Sequence, residues 1–229
     1  MHILIAQLDA ALRPAADLQR AEKMSAYMQH QLCFLGIQTP ARRALSTPLL
    51  RPYYRADFAE IQDLALQLWA QREREFHYCA IDLLGKARRY LPASALTFLL
   101  ELAQQHAWWD SVDGLADVAG DLIRLQRQEQ PQVLSQIEKA LQHPSFWIRR
   151  IAMLHQCGWR AETDSERLFR FALMLAPEQE FFIRKAIGWA LRDYARHAPQ
   201  QVTQFLNLHG TQLSSLSRRE AAKHLPDII

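Results

Sequence analysis

Glycine is scarce in this chain, seven in 229 residues. Glycine supplies the positive-φ turns and close backbone approaches on which hairpin-rich β folds and phosphate-cradling loops depend, so both are disfavoured. Cysteine is scarcer. Cys33, Cys79 and Cys157 stand too far apart for a zinc knuckle or a disulfide frame, as expected of reduced thiols in a cytoplasmic protein, and no metal or cofactor site is expected. No apolar run approaches the ~20 residues that span a bilayer, so no membrane partner is expected. Residues 1–12 are mildly apolar, but the segment is short, lacks a basic start and contains Asp9, which argues against a signal peptide. Alternating apolar and polar stretches are missing as well, leaving nothing from which to build a sheet.

What remains is helical patterning. Asp17 begins a helix after Pro14, with Leu18, Ala21, Met24 and Met28 as its apolar positions, and Gly36 ends that pattern. Thr39 and Pro40 then supply an N-cap and a first-turn proline. Arg42 and Arg43 follow in that first turn, where the helix dipole gives cations no help, so the pair fits either a phosphate contact or a solvated face. Helices are expected over 57–71, 76–89, 93–105 and onward, with prolines 92, 131, 144, 177 and 199 at or just before helix starts. The expected fold is all-α with short loops, one domain over 1–229, acting as a monomer.

Three aromatic-led helix openings recur, at Phe76, Phe146 and Phe181. Phe146 and Phe181 are 35 residues apart and Phe76 lies at twice that distance before Phe146. A period of this size filled by helix pairs indicates an α-solenoid of the HEAT type, with one concave face of second helices.

The segment Trp108-Trp109-Asp110-Ser111-Val112-Asp113 falls near the missing register of that repeat. Trp108, Val112, Leu115, Ala119 and Leu122 make one apolar stripe at helical spacing, and Trp109 and Asp113 are i, i+4 partners one position round from it. An indole beside a carboxylate on a rim suits a receiving surface; a partly buried Trp with a solvated Asp has the same spacing. In the next two repeats Arg150 and Trp189 follow at 37 and 39 residues. Trp189 shares its face with Lys185, Arg192 and Arg196, an arrangement suited to a sugar-phosphate backbone and equally to a structural Trp with snorkelling neighbours. The formal charge is only +3, yet between Phe181 and His224 seven basic residues, Arg218, Arg219 and Lys223 among them, face only Asp193 and Glu220. That clustering fits a polyanion partner at a basic groove, and it fits a solvated helix face as well.

The segments WWDSVDGLA, FLGIQTPARR, FFIRKAIGWALRDYAR and LSSLSRREAAKHL together resemble the AlkD family of DNA alkylpurine glycosylases, from about Ala15 onward; residues 1–14 carry no resemblance. The resemblance implies HEAT-like repeats curved into a C around duplex DNA and an active-site set that falls by motif on Trp109, Asp113, Arg150 and Trp189. Arg149 stands beside Arg150, so either could take the family's arginine position. Some relatives of this fold lack the catalytic Trp and Asp; both are present here. The implied activity is hydrolysis of the N-glycosidic bond of cationic alkylpurines, 7-methylguanine and 3-methyladenine, in duplex DNA. Asp113 would stabilise the sugar cation, the two indoles would pack on the sugar, and Arg150 would hold a phosphate. A purine alkylated at N3 or N7 leaves neutral without protonation, so a single carboxylate is enough where ordinary glycoside hydrolysis needs two. No lysine accompanies the motif as a Schiff-base nucleophile, so a monofunctional enzyme is expected. The alternatives are a non-catalytic binder of damaged or branched DNA on the same fold and a protein-interaction scaffold.

Overall fold

The computed structural model describes residues 2–225. Among them are thirteen α-helices and no strand, one isolated bridge between Cys33 and Glu73 being the only β pairing. The chain forms two compact units, Met1–Ala95 and Leu96–Ile229.

The first unit holds α1 (Ile3–Leu12), α2 (Leu18–Tyr27), α3 (Thr39–Leu50), α4 (Phe58–Trp69) and α5 (Arg74–Ala87). The opening residues, from which the sequence yields nothing, form a core helix: Leu4, Ile5, Leu8 and Leu12 of α1 are fully buried, each contributing about 1.5–3 kcal/mol. α2 begins at Asp17 as expected, whose carboxylate accepts from the Arg20 N–H at 2.9 Å. It then departs from expectation. The helix ends at Tyr27 rather than at Gly36, and Leu18 is exposed. The following loop is held by Glu75, a fully buried carboxylate that accepts from the backbone N–H groups of Leu35, Gly36 and Ile37 at 2.9–3.0 Å. Three N–H donors satisfy most of the lone pairs of a charge that would otherwise be expensive to bury. α3 starts one residue early, with Gln38 as its N-cap.

The second unit runs through α6 (Ala95–Leu102), α7 (Trp109–Gln126), α8 (Gln132–Ala140), α9 (Phe146–Leu154), α10 (Ser165–Leu175), α11 (Phe181–Ala195), α12 (Pro199–His209) and α13 (Ser215–Ala222). α7, α9, α11 and α13 pack side by side in one layer, while α8, α10 and α12 pack on that layer from behind. Two of the aromatic-led openings, Phe146 and Phe181, begin α9 and α11 of that layer. The stripe of Val112, Leu115, Ala119 and Leu122 is buried; Trp108 is extended and serves as the N-cap of α7. Gly120 allows the close fit of α7 on the end of α9, since a Cβ there would lie 2.0 Å from the His155 carbonyl oxygen. No described helix is long and apolar enough to cross a membrane.

Candidate active site

α7, α9 and α11 begin with Trp109, Phe146 and Phe181, and four residues later stand Asp113, Arg150 and Lys185. Equivalent positions on neighbouring helices of a solenoid lie side by side, and the first two of these form an ion pair. Arg150 Nε–H donates to Asp113 Oδ1 at 2.7 Å and Nη2–H to Oδ2 at 2.8 Å. A third donor, Nη1–H, bonds the Phe182 carbonyl at the start of α11. Trp189 is one turn beyond the register of the pair, where Lys185 stands instead. Its ring lies 5.1 Å from the Arg150 guanidinium carbon and 5.3 Å from Lys185 Nζ. Spacing alone places Trp189 in the same row as Asp113 and Arg150; the packing offsets it by a turn and puts the ring against the guanidinium.

This geometry changes the part Arg150 plays. It is 1% exposed, with its fork closed on Asp113, whereas the Asp113 side chain is 25% exposed. Arg150 therefore presents Asp113 and braces Trp189, rather than standing open to a phosphate as the resemblance implies. Arg149 is also committed, bidentate to Glu178 at 2.6 and 2.8 Å and bonded to the His143 and Pro144 carbonyls. Burial pushes the Asp113 carboxyl above its ordinary value and Asp110 adds to this, against the hydrogen bonds and charge of Arg150. Two donors on one face leave the remaining lone pairs of the carboxylate for water or a substrate. Trp109 lies one turn before Asp113 on the same helix face and is half-buried.

Three side chains that the sequence reading did not single out shape this region. Glu220 on α13 accepts from Lys185 at 2.8 Å, Arg192 at 2.7 Å and Lys223 at 3.0 Å. Burial raises its carboxyl, but the hydrogen bonds and charges of Lys185 and Lys223 outweigh that and hold it down at about 2. Lys185 and Arg192 flank Trp189 as expected, but as a clamped set and not as open cations. Gly188 permits this docking, because a Cβ there would come within 2.4 Å of Glu220 Cβ. Asp117, exposed one turn beyond Asp113, is pushed up to about 6 by desolvation and by the charges of Asp113, Asp121 and Asp193. Water reaches this residue, so the like charges are the cause that persists. Phe182 joins Trp108 and Trp147 in an aromatic rim at the starts of the three helices, with ring centroids 4.9–6.0 Å apart. The aromatic-led openings of the repeat were the signal for that rim. Nothing in the sequence marked the cross-helix reach of Glu220.

The remaining expected cations divide. In the first unit Arg42 is 3% exposed and donates to Asp82 Oδ2 at 2.6 Å, with its guanidinium carbon 5.3 Å from the Tyr78 ring centre; Arg43 shares Asp82 through Oδ1 at 3.0 Å and stays exposed. Arg42 is thus a buried structural ion, neither phosphate-facing nor solvated. Arg196, Arg218 and Arg219 are exposed. Among the described residues no three His, Cys, Asp or Glu side chains are grouped so as to hold a metal ion.

The fold and the site together define a helical-repeat protein in which one carboxylate is presented by a buried arginine next to an indole. The chain belongs to the DNA alkylation repair enzyme family, whose sequence model matches residues 8–225. It is 32% identical to a predicted DNA alkylation repair enzyme from Enterococcus faecalis, over 93% of this chain and 98% of that one, with a TM-score of 0.86. AlkD2 from Streptococcus mutans, 18% identical over 90% of this chain and 99% of its own, shares the fold at a TM-score of 0.63. The protein smu.31 from Streptococcus mutans UA159, 19% identical over 81% and 96%, does so at 0.61. No curated protein matches the chain.

Proposed function

We propose that this protein is a monofunctional DNA glycosylase that hydrolyses the N-glycosidic bond of cationic alkylpurines, 7-methylguanine and 3-methyladenine, in duplex DNA. One observation carries the reading: Asp113 is held by both oxygens on a buried guanidinium that Trp189 braces, yet its side chain stays 25% exposed. A carboxylate fixed before the reaction stabilises a developing sugar cation without reorganising when charge appears, and such preorganised groups typically account for ~10²–10³ in rate. The bidentate Arg150 sets the plane of the carboxylate. Trp189 and Trp109 give the sugar apolar faces that exclude bulk water and raise the local electrostatic effect. The leaving group supplies its own positive charge, so no residue needs to deliver a proton to it.

Single-turnover release from duplexes carrying one lesion each tests this. 7-Methylguanine and 3-methyladenine should be freed readily, and hypoxanthine or uracil poorly, because their departure needs protonation or stabilisation of a leaving anion. Release of hypoxanthine as fast as 7-methylguanine would show that a general acid operates, and Asp117, at about 6, is where to look for it. Tight binding of methylated duplex with no base released would instead establish the non-catalytic binder.

A further inference from the structure

α13 has two working faces. Ser217, Glu220 and Ala221 turn to α11: the Ser217 hydroxyl donates to the Arg184 carbonyl at 2.8 Å, and Glu220 clamps Lys185 and Arg192. Ser215, Arg218, Arg219, Ala222 and Lys223, at i, i+3, i+4, i+7 and i+8, form another face and line one wall of a cleft of ≈ 670 Å³. The end of α12 and the turn after it, from Leu206 to Thr211, make the other wall.

The chemistry of that face is unusual for its place. Where two helices of a repeat turn toward each other, the facing side chains are ordinarily apolar, because that contact builds the core of the pair. α12 and α13 instead each pack on α11. The cleft between them receives the Arg218 and Arg219 guanidinium groups, the Thr211 and Ser215 hydroxyls and the Asn207 amide, with no carboxylate in its walls; the Lys223 ammonium at its edge is held by Glu220 at 3.0 Å. Among the described residues no acidic side chain pairs with Arg218 or Arg219, whereas Lys185 and Arg192, close by on α11, are both neutralised by Glu220. Concentrated positive charge in a concave surface draws an anion. Guanidinium forks fit phosphoryl oxygens two at a time, and neighbouring hydroxyls bond those left over. No aromatic ring lines the cleft, so nothing there would stack on a base. The volume lies in the range of ligand sites, with room for whatever the phosphoryl group is attached to.

We propose that the α12–α13 cleft is a phosphoryl-binding site, separate from the Asp113–Arg150 pair, that takes the phosphate of a nucleic-acid backbone or of a phosphorylated small molecule through Arg218 and Arg219. The first of these sources rests on the DNA reading above and extends it to a contact away from the lesion. The second does not depend on it.

Two measurements on the full chain test the site. In the first, inorganic phosphate is titrated into isotope-labelled protein, and saturable amide shifts are expected around Thr211, Ser215 and Arg219, lost in Arg218→Gln/Arg219→Gln. Both positions are exposed, so the double variant should melt like wild type; the Arg218→Lys/Arg219→Lys variant, which keeps the charge without the fork, should shift weakly. In the second, affinity for an undamaged duplex is measured against salt. The log–log slope of the Gln variant should be shallower by ~0.9 for each backbone phosphate released. Phosphate shifts with an unchanged duplex slope would assign the cleft to a phosphorylated small molecule. Absence of both effects would overturn the proposal. Neither readout involves a lesion or base release, so failure of the glycosylase reading would leave both intact.

Discussion

Asp82 and Asp113 are both aspartates pinned by arginine across a helix pair, and the contrast between them separates structure from chemistry. Asp82 is gripped by two arginines, Arg42 on Oδ2 and Arg43 across both oxygens, and its side chain is 17% exposed. Two positive charges on one carboxylate leave a net cation around it, and guanidinium groups on both oxygens leave little for a ligand. Asp113 has one arginine spanning both oxygens, and a neutral indole braces the guanidinium from beyond. One partner fixes the orientation of the carboxylate while leaving its charge uncancelled toward the open side. A salt bridge indicates chemistry here by what it leaves unoccupied.

The largest effect should come from breaking this contrast at Asp113. Asp113→Asn should lower single-turnover release of 7-methylguanine by at least ~10²–10³, whereas Asp82→Asn should leave it within a few-fold and act on stability instead. Equal losses from the two variants would remove the distinction. Arg150 is almost fully buried, so Asp113→Asn also strips a buried guanidinium of its counter-charge, and its melting curve must accompany the rate.

The next effect is on stability. Arg150→Ala leaves Asp113 partly desolvated without its partner and opens space beside Trp189, which should cost about 3 kcal/mol, at the lower end for a broken buried pair because Asp113 is open on one side. For a chain of this size that is a fall of roughly 6–12 °C in Tm. Arg43→Ala, which removes the exposed member of the Asp82 set, should cost less than about 1 kcal/mol. Similar falls for the two would mean that burial of the guanidinium is not what sets the cost.

The sequence carried the architecture further than the roles of individual side chains. Aromatic-led openings and the buried stripe of α7 are periodic features, and periodicity survives without coordinates. Asp113 and Arg150 stand at equal positions on neighbouring helices, but spacing alone did not pair them, and the resemblance assigned that arginine to a phosphate. Whether a cation is open or closed depends on which carboxylate lies opposite, and that is a long-range fact: Glu220 is 35 residues from Lys185, and Asp82 is 39 from Arg43. α1 was opaque because only Gln7 and Asp9 of its ten residues are polar, so the stripe of Leu4, Ile5, Leu8 and Leu12 that the folded helix buries stands out little from its other face. Asp117 stands one turn from Asp113 on α7, but its raised carboxyl depends on surroundings that spacing does not give.

The smallest and most discriminating effect concerns pH. Cation stabilisation requires Asp113 ionised, so release should fall as pH falls through its pKa. Burial, helped by the charge of Asp110, places that value above the ordinary 3.8, while the hydrogen bonds and charge of Arg150 act against the rise. The acid limb of the rate profile should therefore lie above 3.8. Asp110→Asn removes a raising influence and should move the limb to lower pH; Arg150→Gln removes both lowering influences and should move it to higher pH. Stability runs with a different sign at the two acidic centres. A carboxyl whose folded pKa is raised binds protons more tightly when folded, so Asp113 detracts from stability as pH rises from 3.8 through its folded value. Glu220, held at about 2 against an unfolded 4.5, contributes stability that is present above 4.5 and is lost between there and about 2. Acid melting curves of Glu220→Gln should accordingly flatten in that lower window while its acid limb of base release stays where it was. A limb that moves with Glu220→Gln but not with Arg150→Gln would transfer control of the active carboxylate from α9 to the α11–α13 clamp, and the contrast between one-arginine and many-cation carboxylates would fail.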